Sequence, residues 1–193
     1  MHSDFLKDIT ENQFVLVLLD EERYIDKLKD IMKSVEKEGS KICYICLSKP
    51  YSDVIQDFEH AGINPDDFFF IDVLSSHYGL PRPTENCKFI SSPSDLAEIR
   101  AAVVDAIERR GCSAIVFDTV STLLIYQQNS SIVSFTNSLL SEKKQENTKK
   151  LFIILKDDRT SEGDLDVLTK DLEMFADKKI DMTADEKDIN KGS

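Results

Sequence analysis

Glycine is scarce in this chain, with six among 193 residues, and none occurs before Gly39. The first strand-like run, Phe14 to Leu19, therefore leads not into a glycine-rich turn but into Asp20-Glu21-Glu22-Arg23-Tyr24. That excludes a phosphate loop of the form G-x-x-x-x-G-K-[ST] at this place. Such a loop works because bare backbone N–H groups face the phosphates and glycine lets the chain wrap them. Basic residues are also short, with 24 Lys and Arg against 36 Asp and Glu, a net charge of −12. Holding a nucleic-acid backbone takes clustered Lys and Arg, so no nucleic-acid partner is expected. No apolar run approaches the roughly 20 residues of a membrane-spanning helix, and no membrane association is expected. Asp4, Asp8 and Glu11 interrupt the stretch where a signal peptide needs apolar residues, so the expected location is cytoplasmic.

Tryptophan is absent and there are four cysteines. Cys43 and Cys46 have the C-x-x-C spacing of zinc and redox sites, yet both lie in one strand-like run, Lys41 to Leu47. Residues three apart on a strand point to opposite faces. These thiols are therefore expected as buried small apolar groups, not as ligands to one metal.

What the chain does have is alternation of two patterns. Seven short apolar runs read as strands: Phe14 to Leu19, Lys41 to Leu47, Phe68 to Val73, Cys87 to Ile90, Ala114 to Asp118, Leu151 to Leu155 and Lys179 to Met182. Several are apolar throughout, as when helices cover both faces of a sheet. Between them lie helical patterns. Ile25, Leu28, Met32 and Val35 form one stripe that Gly39 ends. A second helix runs from Tyr51 to Ala61, burying Val54, Ile55 and Phe58 before Gly62. A third opens at Ser94-Asp95 and stops at Gly111; a fourth spans about Ile132 to Gln145 and a fifth about Gly163 to Phe175.

Strands alternating with helices predict a three-layer α/β/α sandwich around a mostly parallel sheet. Residues 1–183 make one domain, large enough to bury roughly 70% of its unfolded surface, and 184–193 read as a flexible tail. The segment His77 to Pro83, rich in proline with an apolar tip, reads as a poorly ordered loop.

Four blocks follow one another in a particular order. Ile42-Cys43-Tyr44-Ile45-Cys46-Leu47-Ser48-Lys49-Pro50 comes first, then Phe58-Glu59-His60-Ala61-Gly62-Ile63 leading to Phe69-Phe70-Ile71-Asp72. Ser92-Pro93-Ser94-Asp95-Leu96 and Ile115-Val116-Phe117-Asp118-Thr119-Val120-Ser121-Thr122-Leu123-Leu124 follow. From about Phe14 to Met182 this order resembles the KaiC/RecA-like branch of the P-loop ATPase superfamily, particularly its short archaeal and bacterial members. The resemblance implies a RecA-like fold. It also implies a phosphate loop after the first strand, catalytic glutamates after the strand Ile42 to Leu47, and a magnesium-holding aspartate. Only the last has a counterpart, Asp118. Ser48-Lys49 stands in place of the glutamates, and Asp20, Glu21 and Glu22 stand in the first turn of the replaced loop. There they are expected to cap the helix N–H groups and meet an arriving phosphate with like charge. Each such contact at about 4 Å costs roughly 1 kcal/mol in water and about 4 at an effective dielectric of 20.

The sequence thus predicts a degenerate phosphate loop and a pseudo-ATPase: a catalytically inactive domain acting as a regulatory or protein-interaction module. The alternative is a non-standard nucleotide or small-anion binding protein, or an enzyme, using the crevice at the strand C-termini. Candidates to line that crevice are Asp20, Ser48, Lys49, Asp118, Ser121 and Lys156, with Arg159 beside them. No catalytic residue is assigned and no cofactor is expected. Asp118 is the metal candidate, for Mg²⁺, although a lone strand-end carboxylate offers that ion few ligands. The competing role for Asp118 is to cap the following turn through Ser121 or Thr122. A protein partner or a second copy is expected to meet the exposed groups Tyr78, Leu80 and Tyr126.

Overall fold

Successive residues of the central strands face two different apolar layers, and this period of two organises the molecule. The computed structural model describes residues 2–35, 41–79, 81–142, 146–157 and 159–183. Its strands are β1 (Phe14–Asp20), β2 (Lys41–Cys46), β3 (Phe68–Asp72), β4 (Cys87–Phe89), β5 (Cys112–Asp118), β6 (Lys149–Lys156) and β7 (Lys178–Asp181). They form one sheet in the order β4-β3-β2-β5-β6-β1-β7, with every neighbouring pair parallel. Its helices are α1 (His2–Glu11), α2 (Tyr24–Val35), α3 (Tyr51–Ala61), α4 (Ser75–Tyr78), α5 (Leu96–Arg110), α6 (Asn129–Leu140) and α7 (Glu162–Glu173).

One face of the sheet carries Val15, Val17 and Leu19 of β1 with Ile42, Tyr44 and Cys46 of β2, packed against Ile9, Leu28, Ile31, Val54 and Phe58 of α1 to α3. The other carries Leu16, Leu18, Cys43 and Ile45, packed against Ile99, Val103, Phe135, Leu139, Leu168 and Leu172 of α5 to α7. Each fully buried aliphatic side chain contributes about 1.5–3 kcal/mol relative to exposure, so these layers supply most of the driving force. The predicted three-layer sandwich is the fold observed. Cys43 and Cys46 lie in opposite layers, both buried and free, as their spacing required.

Glycine closes two helices as expected. Gly62 (φ 67°) and Gly111 (φ 74°) take the left-handed conformation after α3 and α5, where a residue with a side chain is strained.

Other details differ from the sequence reading. α1 was not expected. It is held by Phe5 and Ile9, one turn apart in the first layer, and by buried Lys149, whose Nζ donates to the carbonyls of Ile9 (2.5 Å), Thr10 (2.9 Å) and Asn12 (2.5 Å). A cation from a distant strand meets the negative end of the helix, which no local pattern announces. In α2 the buried stripe is Tyr24, Leu28, Ile31, Met32 and Val35, while Ile25 is exposed. α6 begins at Asn129 rather than Ile132. The segment from His77 contains the end of a helical turn and walls a cavity rather than forming a featureless loop. Gly39, Leu80, Gln145, Asp158 and residues 184–193 lie outside the described residues.

Candidate functional site

The chain leaves β1 and β2 into the layer of α2 and α3, but leaves β5 and β6 into the layer of α6 and α7. Neighbouring strands β2 and β5 therefore part at their C-terminal ends, as do β6 and β1. Open α/β sheets build their ligand crevices at such places.

Asp118 ends β5 at the centre of this region, and the strand's period decides where its carboxylate goes. Ala114 and Val116 face the α2/α3 layer, so Asp118, two residues further, does too. Asp118 pairs in register with Cys46 and Val116 with Tyr44, which places Tyr44 on the same face and diagonally next to the carboxylate. Tyr24, at the start of α2, comes over the same spot. Both phenol hydroxyls donate to Asp118 Oδ2 and lie 3.3 Å from each other. Asp118 is 1% exposed, and its Oδ1 has no hydrogen-bond partner among the described residues.

Burial pushes the Asp118 carboxyl above the usual Asp range; the two phenols and the Lys49 ammonium favour its anion. Burial first, and the Asp118 charge second, raise both phenols well above the ordinary tyrosine value, so they stay protonated donors. The expected cap on the turn through Ser121 or Thr122 is thus corrected. The chain turns into the opposite layer after Asp118, while the carboxylate stays behind on the α2/α3 face. Ser121 instead accepts from the Leu155 N–H (3.1 Å), and Thr122 pairs with the Thr119 hydroxyl (3.0 Å).

Above Tyr24 lies a cleft of about 450 Å³ lined by Glu21, Tyr24, Ile25, Ser48, Lys49 and Arg159. Its cations are already matched. Lys49 Nζ donates to Asp57 Oδ2 (2.6 Å) and sits 5.5 Å from the Tyr24 ring centroid. Arg159 Nε donates to Asp157 Oδ2 (2.6 Å). Of the crevice candidates, the structure brings Ser48 and Lys49 together with Arg159. Asp118 is sealed beneath Tyr24, and Ser121 is buried in the other layer. Lys156 is exposed at the end of β6, where its charge helps hold the Asp181 carboxyl low, after that group's hydrogen bonds from Thr183. Asp20 accepts from the Arg23 N–H (3.2 Å), so the acidic residue does cap the turn that follows β1.

Tyr24 and Tyr44 are the residues sequence reasoning missed. A signal was present: a tyrosine inside a buried strand must find a partner for its hydroxyl. Among the described residues, no group of three or more His, Cys, Asp or Glu side chains is placed to hold a metal ion. Tyr78 (78% exposed) and Tyr126 (38% exposed) stand out from the surface on different segments.

No family model matches the sequence, and no curated protein matches it either. Among solved structures, the crystal structure of a KaiC-like protein from the hyperthermophilic archaeon Pyrococcus horikoshii OT3 is similar, with a TM-score of 0.59. It is 12% identical and is matched over 91% of this chain and 75% of its own. The fold is KaiC-like. At this identity the likeness concerns the path of the chain and not its chemistry.

Proposed function

We infer that this KaiC-like domain acts as a binding or regulatory module without conventional ATP hydrolysis. One observation carries the reading: the carboxylate at the end of β5 is closed off by the Tyr24 and Tyr44 hydroxyls. A cation approaching Asp118 from the cleft meets the Tyr24 ring and hydroxyl first. The turn after β1 supports the same reading. Its N–H at Arg23 is taken by Asp20, and Glu21 faces the cleft, so the place offers phosphates carboxylates rather than free donors. On this reading the phosphate loop is degenerate and the protein is a pseudo-ATPase of the cytoplasm. No helix among the described residues is long and apolar enough to cross a membrane. Tyr78 and Tyr126 are the surface groups through which a protein partner or a second copy docks.

Isothermal titration with ATP, ADP and GTP, with and without Mg²⁺, tests this. No magnesium-dependent heat is expected, and no phosphate release in a hydrolysis assay. Magnesium-dependent nucleotide binding at micromolar concentration overturns it. The second reading, a small anion in the cleft at Lys49 and Arg159, rests on the cleft's position; the pairing of both cations by Asp57 and Asp157 weighs against it.

A further inference from the structure

A second cavity of about 610 Å³ opens at the β3/β4 end of the sheet, away from Asp118. That volume falls within the range of roughly 300–1,000 Å³ typical of small-molecule sites. Three segments wall it: the start of α3, the α4 turn, and the stretch from Pro81 through Thr84 with Phe89 of β4. Buried Asp72 fixes the first two to each other. Its carboxylate accepts from the backbone N–H of Tyr51 (2.7 Å) in α3, and from those of Leu74 (2.7 Å) and Ser75 (2.9 Å) at α4, with the Ser75 hydroxyl also donating. The third wall is joined through Tyr51. The Tyr51 ring stands edge-on to Phe70 (5.1 Å) and to Phe89 of β4 (6.2 Å). The cavity is thus built before any ligand arrives, which lowers the entropy lost on binding.

Its charge is unusual for this molecule. Among the described residues, Arg82 is the only charged one in the lining and none brings a carboxylate into the cavity, in a chain with 36 acidic residues. Arg82 has no ion pair or hydrogen bond among the described residues, whereas Lys49 and Arg159 in the central cleft are both paired. Asp72 lies behind the wall with its oxygens turned to their four donors.

We propose that this edge cavity binds a planar aromatic ring carrying one anionic group, with the ring against Tyr51, Tyr78 and Phe89 and the anion on Arg82. Aromatic walls favour a flat ring in stacked or edge-on contact. A free guanidinium favours a carboxylate or phosphate through charge-assisted hydrogen bonds. One cation in an acidic protein cannot track a phosphate backbone, so a small molecule fits better than a polynucleotide.

The test is calorimetry and saturation-transfer NMR on the full chain with indole-3-acetate, AMP, uncharged indole and inorganic phosphate. At least one of the two aromatic anions is expected to bind at least tenfold more tightly than indole or phosphate. Binding of indole-3-acetate alone identifies a carboxylate ligand, and binding of AMP alone a phosphate. Arg82→Ala is expected to weaken the better anion about tenfold, and Arg82→Glu to abolish its binding. Tyr78→Ala is expected to weaken it severalfold; both side chains are exposed, so the fold is not at risk. Lys49→Ala and Arg159→Ala should leave the affinity unchanged. The proposal fails if neither anion binds at millimolar concentration or if phosphate binds as well as the aromatic anions. It fails equally if Arg82→Glu binds normally, or if binding is lost in the Lys49 or Arg159 variants.

Discussion

The central cleft and the edge cavity both lie at strand C-termini, yet they treat charge in opposite ways. In the centre, Asp118 is buried under two phenols, and the nearby cations Lys49 and Arg159 are matched by Asp57 and Asp157. At the edge, the buried carboxylate Asp72 is spent on backbone donors behind the wall, and the cavity itself holds one cation, Arg82, unmatched among the described residues. Position alone does not make a binding site. A crevice whose polar groups already satisfy one another has little left to offer a ligand, whereas a preformed cavity with an open donor does.

The sharpest way to break this comparison is at Asp72. Replacing it by Ala leaves the N–H groups of Tyr51, Leu74 and Ser75 without their acceptor. With buried unsatisfied groups costing about 1–3 kcal/mol each, a loss of about 3–5 kcal/mol is expected in urea unfolding. Near-wild-type stability in Asp72→Ala contradicts the account of how the edge cavity is built. Next come the phenols over Asp118. Tyr44→Phe removes one of the two donors to a buried carboxylate and should cost about 1–3 kcal/mol; Tyr24→Phe, beside the cleft, should cost less. Equal effects from the two variants remove the distinction between a sealed and a cleft-facing donor.

A third prediction concerns pH. The folded-state pKa of Asp118 is raised by burial above its unfolded value. The folded state therefore holds this proton where the unfolded chain has released it. The contribution of Asp118 to stability is full below the unfolded pKa and falls as pH rises through the folded one. Asp181, whose carboxyl is held low, works in the opposite sense and loses its contribution as pH falls. Comparing wild type with Asp118→Asn isolates the first term: relative to that variant, wild type should gain stability as pH is lowered from neutral toward 4. A pH-independent difference in unfolding free energy shows that Asp118 does not titrate in this way.

The smallest effect is expected at Asp57. Its pair with Lys49 is partly exposed, so Asp57→Asn should change stability by less than about 1 kcal/mol. It frees Lys49, however, and inorganic phosphate should then show weak binding in the central cleft that wild type lacks. Equal phosphate binding by wild type and variant means that the Lys49–Asp57 pair does not control anion binding in the cleft.

Much of the fold was legible because it rests on local periodicity. All seven strands lie where apolar runs placed them, and the ends of α3 and α5 follow Gly62 and Gly111. The opposite faces of Cys43 and Cys46 followed from the strand period. The site was less legible. Asp20 was read correctly as a cap, since capping spans only three residues. The partners of Asp118 were not, because they lie 94 and 74 residues away. α1 was missed for a similar reason: its capping cation, Lys149, is more than 130 residues distant.

The sequence by itself determined the layers, because the alternation of apolar residues fixes which face of each strand and helix is buried. It also determined that the turn after β1 is acidic and cannot wrap a phosphate with glycine. Only the tertiary structure decided which side chains meet Asp118 and which cation lines the cavity at the edge of the sheet. Those outcomes depend on strand order and register, which bring together residues that the chain itself keeps far apart.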